Sequence, residues 1–325
     1  MPQRLAQPIR LAIQWGYLLF MLYVGITFAR FLAHFSSRGA TPFVERPVAV
    51  DGFLPISGLL GLRDWFVSGQ LNPIHPAATV ILLAALTVSL LLKRSFCSYI
   101  CPVGTVSELC WKGGFTLFKG NRSLPRWADL LLRSIKYLLL AFFVTSIFLL
   151  MPGPAVREFI FSDYNAMADR RLFDFFLAPS LTLLIFLTVI TGLSLVLRNP
   201  FCRFFCPYGA LLGLVSLMSP LKVTRSVTHC ISCGACNQVC PSHLPIMQKR
   251  RMRSAECIGC YRCISFCKAD GALTMKLAWT DVAFGALLFS TLVVLLFVGV
   301  TIWGRMTGQW ESALGYADYL RLLGG

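Results

Sequence analysis

Charged residues are scarce in this chain of 325 residues, and acidic residues are the scarcer of the two signs. Lys, Arg, Asp and Glu together make up 14% of the sequence, with 30 basic residues, 14 acidic residues and 4 histidines. Hydrophobic residues make up 56%, and the mean hydropathy is +0.69. A soluble protein of this length carries a larger charged fraction, so the composition excludes an ordinary soluble domain and indicates a polytopic membrane protein.

Two further signals are missing from the sequence. The first apolar segment is too long for the core of a signal peptide, and no A-x-A cleavage site follows it, which predicts an uncleaved anchor. No C-x-x-C-H motif occurs, which excludes covalent haem attachment at such a motif.

Five apolar segments are long enough, or nearly so, to cross the roughly 30 Å hydrocarbon core of a bilayer. A shorter apolar stretch at 53–66 is broken by Pro and Gly, which suits an interfacial or re-entrant helix better than a span. The five predicted spans lie at about 11–29, 77–92, 134–151, 177–197 and 280–303.

Basic residues are concentrated in alternate loops. If the N-terminus is cytoplasmic, the loops 1–10, 93–133 and 198–279 lie inside and, with their flanking turns, hold 21 of the 30 Lys and Arg. The outer loops hold 9 basic and 9 acidic residues. The positive-inside rule therefore predicts a protein of the bacterial inner (cytoplasmic) membrane, with the N-terminus and every cysteine motif cytoplasmic and the C-terminus periplasmic. The net charge of +16 then needs no nucleic acid, and membrane lipid is the expected environment.

Eight of the thirteen cysteines form two matching runs within residues 230–267. Both runs have the spacing C-x2-C-x2-C-x3-C that bacterial ferredoxins use for [4Fe–4S] clusters, where the fourth cysteine of each run ligates the other cluster. Zinc sites favour two pairs of cysteines instead, and a reducing compartment disfavours disulfides. The predicted ligands of the first cluster are Cys230, Cys233, Cys236 and Cys267, and those of the second are Cys257, Cys260, Cys263 and Cys240.

The predicted fold is therefore a polytopic α-helical membrane protein with a cytoplasmic 2[4Fe–4S] bacterial ferredoxin-like domain. We expect a membrane domain at 1–220 made of two related hairpins, the ferredoxin-like domain at 221–276, and a fifth span with an outer tail at 277–325. Lys268 stands where the ferredoxin pattern has proline, and its charge is expected to raise the potential of the nearby cluster.

A second cysteine motif occurs twice, at 90–109 and 195–214, each time at the cytoplasmic end of an apolar span. Both stretches read L-x-L-[KR]-x-x-F-C-x3-C-P-x-G. Cysteines four apart share one face of a helical turn, so two such pairs packed by a pseudo-twofold axis would supply four thiolates. Three interpretations stay open: a third [4Fe–4S] cluster, redox-active or copper-binding thiols, and small buried residues that shape a turn. The four cysteines concerned are Cys97, Cys101, Cys202 and Cys206, and Cys110 lies outside every motif as an expected buried free thiol.

These motifs resemble those of the NapH/NosR-type membrane polyferredoxins, and the YccM-like branch most closely. The resemblance covers about residues 14–310 and includes FLPISGL, GLRDWFVSGQ, SFCSYICPVGTVSEL, FCRFFCPYGALLGLVSLMSP and the paired ferredoxin runs. It implies an integral inner-membrane protein that passes electrons between the quinol pool and a respiratory or assembly partner. The N-terminal flavin domain of the NosR branch is not expected here, because ten residues precede the first span.

Quinol oxidation needs a proton acceptor, a polar anchor and an apolar slot. A histidine with a near-neutral pKa can take a quinol proton, so His75 with Asp64 is the predicted catalytic pair. The alternative is that each residue only snorkels at a span end or forms an ion pair. The polar residues considered on the predicted outer side are Arg30, His34, Asp64 and His75.

Three functions follow from these features. The leading one is an electron-transfer subunit of a quinol-linked oxidoreductase, with a reductase, cytochrome or flavoprotein as its partner. The second is an assembly factor that reduces copper or a thiol during maturation of another metalloenzyme. The third, a cluster-based sensor or scaffold, is the weakest because five spans exceed what that role requires.

Overall fold

The computed structural model describes residues 5–280 and 282–323, and these residues are mostly helical. Short 3-10 or π-helical turns occupy Val48–Phe53, Thr145–Leu150 and Phe201–Phe205. The α-helices in chain order are α1 Ala6–Ser36, α2 Pro55–Ser68, α3 Pro76–Leu92, α4 Phe96–Tyr99, α5 Pro102–Phe118, α6 Arg126–Val144, α7 Gly153–Ile160, α8 Asp163–Ala166, α9 Ala168–Leu177, α10 Leu181–Val196, α11 Pro207–Val215, α12 Ala235–Gln238, α13 Arg262–Ser265, α14 Ala286–Met306 and α15 Tyr316–Leu323.

In the part of the chain that the structure describes, three helices are long and apolar enough to cross a membrane, where five spans are predicted from the sequence. They are Ala6–Ser36, Arg126–Leu150 (α6 with the turn that extends it) and Ala286–Met306. Helices α9 and α10 form a fourth span only if they count as one, and they are bent by 74° at the break between them. The predicted span at 77–92 is the helix Pro76–Leu92, whose 17 residues make it shorter than a full crossing of about 20 residues. By length, the structure therefore supports three of the five spans, and a fourth if the bent pair is counted.

The short apolar stretch after residue 53 is helical, as expected. It forms α2, which begins at Pro55 and ends in a left-handed Gly69. Proline suits the first position of a helix and glycine suits the residue after its end, so the sequence itself sets both boundaries.

The chain divides into two compact units. Unit 1 comprises 1–18, 85–140 and 186–296, and unit 2 comprises 19–84, 141–185 and 297–325. The chain passes from one unit to the other within helices that the sequence predicts as spans. The units therefore differ from the predicted domains, whose boundaries at 220 and 276 stay predictions.

Unit 1 contains a three-stranded antiparallel sheet in the order β1-β2-β3, formed by Leu221–Arg225, Leu273–Leu277 and Ala283–Phe284. Leu221 pairs with Leu277 and Arg225 pairs with Leu273, so β1 and β2 enclose both cysteine runs between them. The buried side chains Leu221, Val223 and Met275 form the inner face of this sheet.

Unit 2 has an aromatic core. The buried residues Phe28, Phe31 and Phe35 of α1 lie at helical spacing and pack against Tyr319 of α15. Phe31 and Tyr319 meet edge to face with ring centroids 5.1 Å apart, a geometry that aromatic pairs favour. The last helix is therefore held to the first by apolar contacts.

Candidate iron–sulfur centres

The two ferredoxin-like runs fold into matching loops. In each run the residues on both sides of the second cysteine have positive φ: Ser232 and Gly234 in the first, Gly259 and Tyr261 in the second. Two left-handed residues around one cysteine wrap the backbone tightly, as a loop with a thiol at every third residue requires. The short helices α12 and α13 then begin at equivalent positions.

Each loop surrounds a cavity, and each cavity is lined by a cysteine from the other run. We call the first set group 1 and the second set group 2. Group 1 consists of Cys230, Cys233, Cys236 and Cys267, which line one cavity. Group 2 consists of Cys257, Cys260, Cys263 and Cys240, which line the other. These sets match the two predicted ligand sets, whose role as ligands stays a prediction.

The donor sets suit clusters rather than single ions. Within residues 5–280 and 282–323, no group of three or more His, Cys, Asp or Glu side chains converges as closely as a single metal ion requires. This bears only on mononuclear sites, because a [4Fe–4S] cluster takes each cysteine on a different iron atom. Four thiols around one enclosed cavity fit that requirement in both groups.

Group 2 is the more deeply buried of the two. Cys240, Cys260 and Cys263 are buried, and burial raises the pKa of Cys240 to about 12 and that of Cys260 above the usual thiol range. A thiolate at this depth needs positive charge beside it, which iron supplies when it displaces the thiol proton.

Group 1 lies at the surface. Cys233 is exposed and Cys230 is half-buried. A hydrogen bond from the Arg225 guanidinium lowers the pKa of Cys230, which favours the thiolate that a cluster requires. Group 1 is therefore the more exposed of the two groups.

The four cysteines of the repeated motif also lie together, in unit 1, and we call them group 3: Cys97, Cys101, Cys202 and Cys206. Burial, with a smaller effect from neighbouring thiols of group 3, raises the pKa of Cys97 to about 12 and that of Cys101 to about 11. Burial also raises the pKa of Cys202, and the other three thiols add to that rise. The four thiols therefore lie within range of one another's charge, and their role as joint ligands stays a prediction.

The two halves of the repeat begin their following helices in the same way. Cys101 and Cys206 are the residues before α5 and α11, and the next residue in each case is a proline at the first helical position. The backbone N–H of Gly209 donates to the Cys206 sulfur at 3.3 Å. The C-P pair thus directs the second thiol of each motif toward the start of a helix, where N–H groups and the helix dipole favour negative charge.

The first half of the repeat contacts the loop of group 2 directly. Ser98 Oγ, between the two cysteines of that half, donates to the Ile258 carbonyl oxygen at 2.6 Å. Arg94 Nη1 donates to the Gly209 carbonyl oxygen at 2.9 Å and lies 3.7 Å from a Glu256 carboxylate oxygen. The segment 94–98 therefore joins the second repeat to the residues beside Cys257.

Glu256 is the centre of a buried charged cluster that the sequence analysis missed. Lys136 Nζ is fully buried and lies 2.7 Å from both carboxylate oxygens of Glu256. The Tyr137 hydroxyl donates to the same carboxylate at 2.8 Å. These contacts join residues more than 100 positions apart, which the sequence alone does not indicate. The one signal in the sequence is that Glu256 directly precedes Cys257.

Of the four residues predicted for quinol, three already have firm partners in unit 2. His75 Nε2 donates to the Asn165 carbonyl oxygen at 2.8 Å, and Nδ1 donates to Asp51 Oδ1 at 3.0 Å. Both ring nitrogens therefore carry protons, and the carboxylate of Asp51 raises the pKa of His75 against the opposing effect of burial. His75 is thus a hydrogen-bond donor at both ring nitrogens in this structure, and its role as a base for quinol stays a prediction. Asp64 forms an ion pair with Arg157 at 3.3 Å, not with His75, Arg63 or Arg30.

His34 keeps an acceptor nitrogen. Its Nδ1 faces the Thr41 carbonyl oxygen at 2.5 Å and must donate there, and in the neutral tautomer Nε2 accepts from the Tyr316 hydroxyl at 3.0 Å. Tyr316 lines a cavity of about 230 Å³ whose wall also includes Phe43 and Glu45. His34 is therefore the predicted polar residue whose geometry best fits proton uptake.

Comparison with known proteins supports the cysteine motifs. A 4Fe-4S binding domain family matches twice, at residues 74–125 and 179–225, once over each half of the repeat. A 4Fe-4S dicluster domain family matches residues 222–268, which hold both ferredoxin-like runs. No solved structure matches the chain.

Relatives extend this likeness over nearly the whole chain. A protein of Escherichia coli (strain K12) that carries the name of an electron transport protein, YccM, is 41% identical over 97% of this chain and 89% of its own length. The ferredoxin-type protein NapH of the same organism is 27% identical over 64% of this chain and 71% of its own length. The methylamine utilization ferredoxin-type protein MauN of Paracoccus denitrificans is 31% identical over 57% of this chain and 62% of its own length. The chain therefore belongs to the YccM-like family of ferredoxin-type iron–sulfur electron-transport proteins.

Proposed function

We propose that this protein relays electrons between the quinol pool of the bacterial inner membrane and a redox partner protein, using three [4Fe–4S] clusters. The observation that carries the proposal is the contact between segment 94–98 of the repeated motif and the loop of group 2, through Ser98 and Ile258. Groups 3, 2 and 1 then form a series that ends at the protein surface.

The chain's own residues keep this series rigid. When bound, a [4Fe–4S] cluster takes up and releases single electrons without a change of ligands. The loops hold their cysteines in fixed left-handed turns, and the Glu256 cluster clamps the loop of group 2 to α6. Groups 1 and 2 exchange their fourth cysteines, Cys267 and Cys240, so neither loop can move far without the other. A fixed scaffold of this kind keeps reorganisation on electron transfer small.

On the quinol side, the proposal assigns proton uptake to His34 through Tyr316. A quinol hydroxyl in the cavity beside Tyr316 can pass its proton to the tyrosine oxygen as the tyrosine proton moves to His34 Nε2. In this assignment His75 and Asp64 support the site through their ion pairs, rather than acting as the base predicted from the sequence.

The competing function is reduction of copper or of a thiol by group 3. It is favoured by the grouping of four half-buried thiols, which is also a suitable set of soft ligands for copper. The two functions differ in what group 3 holds, and metal content distinguishes them.

The test compares Cys101→Ser/Cys206→Ser with Cys110→Ser, a half-buried cysteine outside every motif. If group 3 holds a cluster, anaerobically purified wild-type protein contains about twelve iron atoms per chain and the double variant about eight. The control should retain the wild-type value. Unchanged iron in the double variant would exclude the third cluster and favour the copper or thiol function.

The same proteins in lipid test the link to quinol. A low-potential quinol should bleach the cluster absorbance of the wild type and of Cys110→Ser. In the double variant the bleaching should be slowed by at least about a hundredfold, since group 3 is the proposed route, while dithionite should still bleach groups 1 and 2. Equal bleaching by quinol in the double variant would show that electrons bypass group 3.

A further inference from the structure

A strongly basic basin lies on the ferredoxin-like part of unit 1, next to group 1. It is a cavity of about 710 Å³ between the ends of β1 and β2 and the segment 250–253. Among residues 5–280 and 282–323, none of those that line it is acidic. Its basic side chains are Arg225, His229, Arg250, Arg251, Arg253 and Lys276.

The basin is held open by backbone hydrogen bonds. Segment 250–252 runs along the free edge of β1: Arg225 N donates to the Arg250 carbonyl oxygen at 2.7 Å, and Met252 N donates to the Val223 carbonyl oxygen at 2.8 Å. Thr224 and Arg251 form an isolated antiparallel bridge in the same place. The arginines therefore extend from an ordered sheet edge rather than from a loose loop.

Three arginines of the basin are exposed to solvent, together with its histidine. Arg250, Arg251, Arg253 and His229 are exposed. Arg251 donates to the Ala278 carbonyl oxygen at 2.8 Å, which fixes its side chain without neutralising it. So many like charges around one concave surface repel one another and favour a bound anion.

Arg225 connects the basin to group 1. It lines both the basin and the cavity of group 1, and its positive charge favours the thiolate form of Cys230. Whatever binds in the basin therefore lies one side chain away from a predicted cluster ligand.

Exposed apolar side chains border the same surface. Ile231, which lines the cavity of group 1, is 63% exposed, and Val227 is 54% exposed. A small anion or a lipid headgroup would leave both residues in water, whereas protein interfaces combine an apolar centre with a charged rim. The surface thus suits an acidic protein better than a free phosphate.

We propose that the basin is the docking surface for an acidic redox protein, which places its own redox centre beside Cys230 and Cys233. This inference rests on the electron-transfer function proposed above and specifies its partner by charge. Opposite charges on the two surfaces steer the encounter, so the association rate should depend strongly on ionic strength.

The test measures binding of a probe rather than turnover. The full-length protein in phosphatidylcholine nanodiscs is mixed with a reduced, acidic plant-type [2Fe–2S] ferredoxin, and the association rate constant is measured at ionic strengths from about 0.02 M to about 0.5 M. Arg250→Glu/Arg253→Glu reverses two exposed charges of the basin. Arg122→Glu/Arg126→Glu is the matched control, because it makes the same change in net charge at two exposed arginines outside the basin.

For the basin variant we expect at least about a tenfold slower association at low salt and a flatter salt dependence. The control should stay close to the wild type. Equal slowing in both variants would attribute the effect to net charge and overturn the proposal, as would a wild-type rate in the basin variant. Loss of binding to phosphatidylserine vesicles with unchanged ferredoxin binding would instead identify the basin as a lipid contact and also overturn it.

Failure of this test can be told from failure of the proposed function. Iron content and bleaching by dithionite should be the same in both variants as in the wild type, since neither variant changes a cysteine. A protein that binds the ferredoxin through the basin but is not reduced by quinol would retain the docking surface and contradict only the link to quinol.

Discussion

At the scale of single residues, the charged network around His75 should make stability depend on pH. The network contains two cations, His75 and Arg46, and two carboxylates, Asp51 and Asp169, all buried or nearly so. The pKa of His75 is raised, so its contribution is fully present below the unfolded pKa of about 6.5 and is lost as pH rises through the higher folded value.

We therefore expect the melting temperature of the wild type to fall between pH 6 and pH 9 more steeply than that of His75→Gln. A hydrogen bond to a charged partner contributes on the order of 1.5–3 kcal/mol, which amounts to several degrees in a protein of this size. His34→Gln is the control, because its described hydrogen bonds go to neutral groups, and it should keep the wild-type slope. Parallel pH profiles for the wild type and His75→Gln would contradict the assignment of His75 as a cation.

The partners of His75 could not be predicted from the sequence. Asp51 and Asn165 lie 24 and 90 positions away, and no periodic pattern relates them to the histidine. The residue type alone suggested a base, since a free histidine titrates near neutrality. The two acceptors that the fold places beside its ring nitrogens could not be read from the residue type.

At the scale of elements, the two copies of the C-x3-C-P-x-G motif differ in how closely the backbone packs around the glycine. A Cβ atom on Gly104 would lie 2.3 Å from the Cys97 carbonyl oxygen, far inside contact distance. A Cβ atom on Gly209 would lie 3.6 Å from the Cys206 sulfur and 3.7 Å from the Cys202 carbonyl oxygen, which are ordinary contacts.

Gly104→Ala should therefore destabilise the first motif by about 2 kcal/mol or more, while Gly209→Ala, the matched control, should change stability by less than about 1 kcal/mol. The measurements are thermal stability and iron content per chain. If group 3 holds a cluster, Gly104→Ala should also lose about four iron atoms. Equal tolerance of both substitutions would show that the two halves of the repeat have the same packing.

Elements with strong local signals are the ones that the sequence predicts well. Proline and glycine mark both ends of α2, and apolar length marks α1 and α14. The 74° bend between α9 and α10 falls at the break that contains Pro179, and hydropathy alone gives no angle. Helix α3 was counted as a span because its composition is apolar, although it is only 17 residues long.

At the scale of the whole molecule, the distribution of Lys and Arg predicts an orientation in the membrane. With 21 of 30 basic residues in the loops assigned to the inside, a reporter inserted near Lys249 should be active as a cytoplasmic fusion and one after Gly325 as a periplasmic fusion. A fusion after Leu124, in a loop also assigned to the inside, is the control for the first reporter. A cytoplasmic signal after Gly325 would mean an even number of crossings.

The grouping of cysteines was predictable to the extent that spacing determines it. Groups 1 and 2 follow from a local pattern whose geometry is fixed by the cluster, and group 3 follows from an internal repeat. The basic basin had a visible signal in Lys249, Arg250, Arg251 and Arg253, four basic residues among five, but its place beside group 1 depends on how segment 250–252 pairs with β1. Long-range pairing of this kind has no counterpart in sequence spacing.

The exchange of Cys240 and Cys267 between the two runs bears on how the protein matures in a cell that is short of iron. If the predicted ligand sets hold, neither loop can complete its cluster until the other loop has folded beside it. Iron loading of the two sites is then cooperative, and newly made chains divide into filled and empty molecules with few half-filled ones between them. A shortage of iron would lower the number of cluster-loaded molecules, while each loaded molecule would hold both clusters.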